Sequence, residues 1–240
     1  MTTYGEYCPI AVGAEFFGDR WTPLVLRELV IGCRHFNDIH RGIPKMSRTL
    51  LSQRLRTLER RGIVERQEND GRVEYVLTPA GRALGPVIWA LGHWAAHWVF
   101  GDPTEDRLDA AWLVWRMHQS TLPDKMPSKR TVIELNLVGP GGGTSWLVME
   151  SRGSTACQFD PGYDVDLVVQ ADNAAMHRWL LGRTTLRDEV TQGNVRFVGP
   201  SRLARVFPSW FNTSVFAEDF ASAVRGRKGV RSELATADQR

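Results

Sequence analysis

Between Gly42 and Thr78 the chain sets a tight turn, a basic helix and a two-stranded hairpin in immediate succession, and few folds accept that order. Gly42-Ile43-Pro44 reads as the turn, because glycine and proline punctuate regular structure. Ser47 is an N-cap candidate for a helix running to Arg61, since a serine hydroxyl can accept from the free N–H groups of a first helical turn. Gly62 stops that helix. Leu51, Leu55 and Leu58 recur at four and three residues, which buries one face. Arg48, Thr49, Ser52, Gln53 and Arg56 fall mostly on the other. The spacing then predicts strands over Ile63–Gln67 and Val73–Leu77, with Asp70-Gly71 between them as a hairpin turn.

Upstream, three short helices are expected: Pro9–Phe17; a second capped by Thr22, with Pro23 at its first position, ending at Gly32; and Phe36–Arg41. Downstream, Thr78-Pro79 caps one long helix to about Val99, with Leu84, Ile88, Leu91, Ala95 and Trp98 on one face. Trp89, Trp94 and Trp98 are read as core and dimer-seam residues in preference to a ligand cage. His93 and His97 have the spacing of helical zinc ligands but lack a third ligand and the glutamate that would follow His93, so no metal is expected.

The formal charge is +3 over 240 residues, and it is unevenly spread. Residues 34–61 hold eight Lys and Arg against Asp38 and Glu59, a net +6, whereas residues 101–240 sum to zero. A local positive field within a near-neutral chain favours a polyanion. Three cysteines make no disulfide framework. There is no basic-apolar leader, and the longest apolar run, Val87–Phe100, is shorter than the ~20 residues a spanning helix needs. A soluble, cytoplasmic protein without membrane contact is expected.

Helix, turn, capped basic helix and basic-tipped hairpin make up the layout of a winged helix-turn-helix. A helix about 12 Å across fits the major groove of DNA. Lys45, Ser47, Arg48, Thr49, Ser52, Gln53, Arg56 and Arg72 are the DNA-binding candidates: Arg48, Thr49, Ser52 and Gln53 for base edges, Arg56 and Arg72 for phosphate. Arg54, Arg60 and Arg61 are read as surface or phosphate residues.

Cys8-Pro9, Gly18-Asp19-Arg20-Trp21, Leu26-Arg27-Glu28-Leu29, His35-Phe36-Asn37-Asp38-Ile39, Ile43-Pro44, Ser47 to Arg56, Gly62-Ile63-Val64, Glu74 to Thr78, Gly81 and Trp94 together resemble the HxlR-type transcriptional regulators, a MarR-related winged-helix family, over about residues 7–98. The resemblance implies a homodimer on a pseudo-palindromic operator, with dimer contacts from the first and last helices of the domain. It also makes Cys8 a redox-sensor candidate, against the plainer reading of a small buried hydrophobe. The chain departs from the family at His35, where arginine is frequent, and in a wing without proline.

After Gly101-Asp102-Pro103 the pattern becomes strand-rich. Helices are expected over Asp106–His118, Asn173–Leu181 (capped by Asp172), Leu186–Val190 and Ser201–Phe211. Strands are expected over Thr131–Val138, Trp146–Glu150, Ala156–Phe159, Tyr163–Val169 and Asn194–Val198, with a flexible Gly139–Gly143 turn. That turn lacks the Gly-Lys-Ser/Thr ending of a phosphate loop. His177 is read as a surface or satisfied polar group and the Asp188-Glu189 pair as a solvated face, and no catalytic constellation or cofactor motif is visible.

The fold class is therefore α+β: residues 1–100 a winged helix-turn-helix and dimerisation domain, 104–217 an α+β domain, and 218–240 a frayed helix followed by a loose, flexible tail. Residues 105–215 resemble sterol-carrier-protein-type domains, through Asp164-Val165-Asp166-Leu167-Val168-Val169, Trp179 to Arg183 and Gly193 to Gly199. This implies an apolar cavity for a lipid-like or aromatic effector, with Trp112, Trp115, Trp146, Met149, Met176, Trp179, Phe207 and Trp210 as lining candidates. Alternatives are a lipid carrier or enzyme that uses the first domain only to dimerise, and a regulator whose second domain is an interaction module.

Overall fold

The computed structural model describes residues 3–213 and 215–223. These form two compact units that divide between Leu91 and Gly92.

The first unit contains α1 (Pro9–Phe17), α2 (Thr22–Ile31), α3 (Phe36–Gly42), α4 (Arg48–Arg60), β1 (Val64–Asn69), β2 (Arg72–Leu77) and α5 (Pro79–Ala83). Ser47 caps α4, its hydroxyl accepting from the Leu50 N–H. Leu51, Leu55 and Leu58 are fully buried against Val25, Leu26, Ile39 and the other core side chains. Asp70 and Gly71 both adopt positive φ, 49° and 72°, the geometry of a primed hairpin turn whose twist matches its strands. Thr22 is not the cap of α2. It is the first helical residue and is buried, and Trp21 stands at the cap position.

The long helix expected from Pro79 is two helices, α5 and α6 (Gly85–Trp98). Pro86 explains the break, since it cannot donate to the carbonyl four residues back and it disfavours helical backbone just before it. Along α6 only Ile88 and Ala96 are buried among the apolar residues. Val87, Leu91, Trp94 and Trp98 are exposed, the two tryptophans at 54% and 67%.

The second unit holds a five-stranded mixed sheet in the order β5-β4-β3-β6-β7. Its strands are β3 (Thr131–Val138), β4 (Gly143–Glu150), β5 (Gly153–Cys157), β6 (Leu167–Asp172) and β7 (Val195–Val198). Only β3 and β6 pair in parallel. Four helices bury their apolar sides in one core with the sheet: α7 (Ala110–Gln119), α8 (Asn173–Leu180), α9 (Leu186–Thr191) and α10 (Ser201–Val206).

Several expected boundaries move. The first helix of this unit begins at Ala110, because Asp109 caps it by accepting from Trp112 N, and Leu113, Val114 and Met117 turn inward with Trp115. Strand β6 begins only at Leu167: the carboxylate of Asp166 accepts from Val132 N, closing the ladder there. Residues 201–206 are α-helical and Phe207–Trp210 tighten into a 3-10 turn. The glycine turn is pinned. Gly141 carbonyl accepts from Ala110 N at 2.8 Å, and a Cβ on Gly141 would meet Leu108 O at 2.1 Å. Glu189 is buried and held by Arg178 and Asn194, while Asp188 serves the Thr185 cap. At the start of the stretch from residue 218, where a frayed helix is expected, residues up to 223 are helical with Phe220 and Ala223 buried. The remainder, 224–240, lies outside the described residues.

Candidate nucleic-acid interface

The polar face of α4 is built by its own phase. With three leucines pointing inward, Lys45, Ser47, Arg48, Thr49, Gln53 and Arg56 are exposed and Ser52 is half-buried. Arg56 Nη2 donates to Ser52 Oγ at 3.3 Å, one turn back along the same face. Arg72 is exposed at the hairpin tip, beside the Asp70-Gly71 turn. The α4 candidates thus share one helix face, and Arg72 stands apart on the wing.

The wing is tied back to the helical body. Tyr75 N donates to Arg34 O at 2.8 Å, and His35 Nδ1 donates to Val73 O at 3.2 Å. His35 thus fastens the loop before α3 to β2.

The basic residues differ in what they can do. Arg54 is half-buried in an ion pair with Asp19, which joins α4 to the loop before α2. The Arg54 guanidinium holds the Asp19 carboxyl below the usual carboxylate range. It is a structural residue, and the reading of Arg54 as a surface or phosphate group is corrected. Arg61 lies over the Phe16 ring at 5.2 Å. A groove of about 440 Å³ beside α4 is lined by Asp19, Leu50, Gln53, Arg54, Thr57, Arg60 and Arg61.

Arg48 is held as well as exposed. Its Nη2 donates to Asn37 Oδ1 at 2.8 Å, and its guanidinium carbon sits 4.9 Å from the Phe36 ring centroid. Asn37 and Phe36 enter the sequence reading only within a family motif and with no role at the site, because nothing local marks a contact that depends on how α3 crosses α4.

Beneath this surface lies Glu28, fully buried. Arg27 donates to its Oε1 at 2.8 Å and to Gly42 O at 3.0 Å, and the Cys33 thiol faces Oε2 at 3.9 Å. This cluster joins α2 to the end of α3.

A protein-family model described as HxlR-like helix-turn-helix matches residues 16–102. YvaP of Bacillus subtilis, named an uncharacterized HTH-type transcriptional regulator, is 35% identical over 103 residues, which is 41% of this chain and 94% of YvaP. The chain belongs to the HxlR-like helix-turn-helix family. YodB of Bacillus subtilis, an HTH-type transcriptional regulator, is 38% identical over 92 residues, 37% of this chain and 82% of YodB. A quinone-bound YodB structure aligns at 37% identity and a TM-score of 0.33, over 37% of this chain and 96% of that one. The HxlR-like match covers the first unit from residue 16 and the start of the second; residues 1–15 and 103–240 lie outside the matched range.

Cys8, the redox-sensor candidate of this HxlR-like domain, stands at the N-cap position of α1 and is half-buried. Among the described residues no group of three or more His, Cys, Asp or Glu could hold a metal. His93 bonds Asp219 at 2.7 Å. No described helix is long and apolar enough to cross a membrane.

In the second unit the eight lining candidates fall into four environments. Met149, Met176, Trp179, Phe207 and Trp210 belong to the buried core. The ring of Phe207 lies 5.2–6.1 Å from those of Trp179, Phe197, Trp210 and Phe211. Trp115 is buried on α7 beside the His118 ring. Trp146 stands on the opposite face of the sheet from Met149, across from Glu134 and Cys157. Trp112 is half-buried and stacks on His177 at 5.9 Å.

Of the two readings of His177, the surface one is corrected. It is 5% exposed, its Nδ1 donates to Asn173 O at 2.8 Å, and its Nε2 has no hydrogen-bond partner among the described residues. Burial pushes its pKa down.

Proposed function

We propose that the protein is a homodimeric regulator that binds a pseudo-palindromic operator through α4 and the β1–β2 wing. The observation that carries this reading is the face of α4 that shows Arg48, Thr49, Gln53 and Arg56 to solvent while its leucines lock it to the core. A helix so presented delivers side chains to base edges, and its cations give affinity to any duplex. Lys45, Ser47 and Ser52 complete the helix contacts and Arg72 takes a phosphate. Pairing of two chains through α1 and α6 sets the spacing of the half-sites. The exposed apolar residues of α6, and Ile10 and Val12 on α1, support that assignment.

The functional division runs over residues 1–100 for DNA and dimerisation and 104–217 for an effector. The aromatic cluster around Phe207 is a packed apolar core, and an apolar effector with few polar contacts would enter it by displacing rings. Titration with oleic acid and with naphthalene, read by tryptophan fluorescence, tests this part. No change with either probe leaves the second unit as an interaction module.

Selection of bound sequences from random DNA, using the full chain, tests the main reading. It is expected to return an inverted repeat. Recovery of unenriched sequence contradicts it.

A further inference from the structure

Arg48 is the first residue of α4, yet α3 decides where its side chain points. Its Nη2 is tethered to Asn37 Oδ1 at 2.8 Å and its guanidinium lies on the Phe36 ring. The Phe36 ring in turn lies parallel to the His40 ring, 4° apart in plane with centroids at 6.4 Å. His40 Nε2 donates at 2.9 Å to the carbonyl of Met46, the residue just before the Ser47 cap. Three residues of one turn of α3 therefore fix both the entry into α4 and its leading cation.

We propose that Asn37 and Phe36 are positioning residues that present Arg48 to a guanine, so that α3 sets which base the first turn of α4 selects. The inference rests on the DNA-binding reading and sharpens it to one base. Nη2 carries two hydrogens, so with one given to Asn37 a bidentate edge of the guanidinium keeps both its donors. Such an edge matches the O6 and N7 acceptors of guanine in the major groove, which no other base presents together. A free arginine loses much rotamer freedom when it docks. One already held against a ring and an amide oxygen has less to lose, and the saving falls on the base that its fixed orientation fits. A lysine at this position would contact phosphate or base as a point charge and could not read the pair of acceptors.

The test is selection from random DNA followed by competition binding, for wild type, Arg48→Lys, Asn37→Ala and Asn37→Asp. Asn37 is exposed on α3, and circular dichroism checks that each variant is folded. Wild type is expected to enrich guanine at one position of each half-site. Arg48→Lys loses that preference about tenfold. Asn37→Ala loses it severalfold at the same position only, while affinity for random duplex stays within about twofold. Asn37→Asp keeps the acceptor and therefore the guanine preference, although its added charge weakens binding to every sequence. A role of Asn37 in fold stability alone would shift all positions together. If wild type and Asn37→Ala prefer the same base to the same degree, or if Arg48→Lys leaves every position unchanged, the inference is overturned while the DNA reading stands. If wild type enriches nothing, both are overturned.

Discussion

Gly42 ends α3 with no room for a side chain: a Cβ there would sit 1.9 Å from Glu28 Oε2. Glu28 cannot retreat, since it is fully buried and held by Arg27. Gly42→Ala is therefore expected to destabilise the first unit by about 2–4 kcal/mol, through overpacking and the disturbance of a buried charge. Urea denaturation measures this, and a loss below about 0.5 kcal/mol would refute the account of that contact. From sequence Gly42 was legible only as a turn residue and Glu28 as one more helix position. Their meeting depends on packing between helices and leaves no local mark. His177 poses the same problem in the second unit. Its folded-state pKa lies below its unfolded value because burial penalises the cation. The unfolded chain thus binds more protons as pH falls below the ordinary imidazole value of about 6.5, and stability declines with acidification. The urea midpoint should fall between pH 7.5 and pH 5 by more in wild type than in His177→Phe, which keeps a ring beside Trp112. Equal falls would show that His177 takes no part.

Elements with local signals were readable almost residue by residue. Serine caps α4, a leucine repeat orients it, and Asp-Gly closes the wing. The misread elements lacked such signals or carried competing ones. Asp106 and Asp109 both precede the apolar run of α7, and the helix expected from the earlier one begins only after Asp109, which caps it. Alternation from Tyr163 looked like a strand, but the ladder begins only where β3 offers partners. Helix α6 shows a different limit. Its apolar repeat was legible, but what it faces was not, and Val87, Leu91, Trp94 and Trp98 are exposed in the single chain. Exposed apolar residues on one helix mark a protein–protein contact. Analytical ultracentrifugation should find wild type dimeric and a Leu91→Glu, Trp94→Glu double variant shifted to monomer with its circular dichroism spectrum retained. A variant that remains dimeric would place the dimer contact elsewhere.

On the scale of the whole chain, the charge distribution in the sequence alone separates the two halves. The net +6 of residues 34–61 falls on α3, α4, the turn between them and the flanking Arg34 and Arg61. The family match spans the same region and stops at residue 102. The neutral remainder folds around aromatic and aliphatic side chains, and whether that core admits a ligand cannot be coded in a pattern that serves packing equally well. The central claim is that the exposed cations of α4 and the wing grip a DNA backbone while neighbouring side chains choose a sequence. It is tested most directly by fluorescence anisotropy of the full chain on its selected operator and on a scrambled duplex, from about 50 to 200 mM salt. The account predicts a fall in affinity of about a thousandfold or more over that range for six or more phosphate contacts across the dimer, with the operator held at least about a thousandfold tighter than the scrambled duplex at physiological salt. A flat salt response, or equal affinity for the two duplexes, would contradict it.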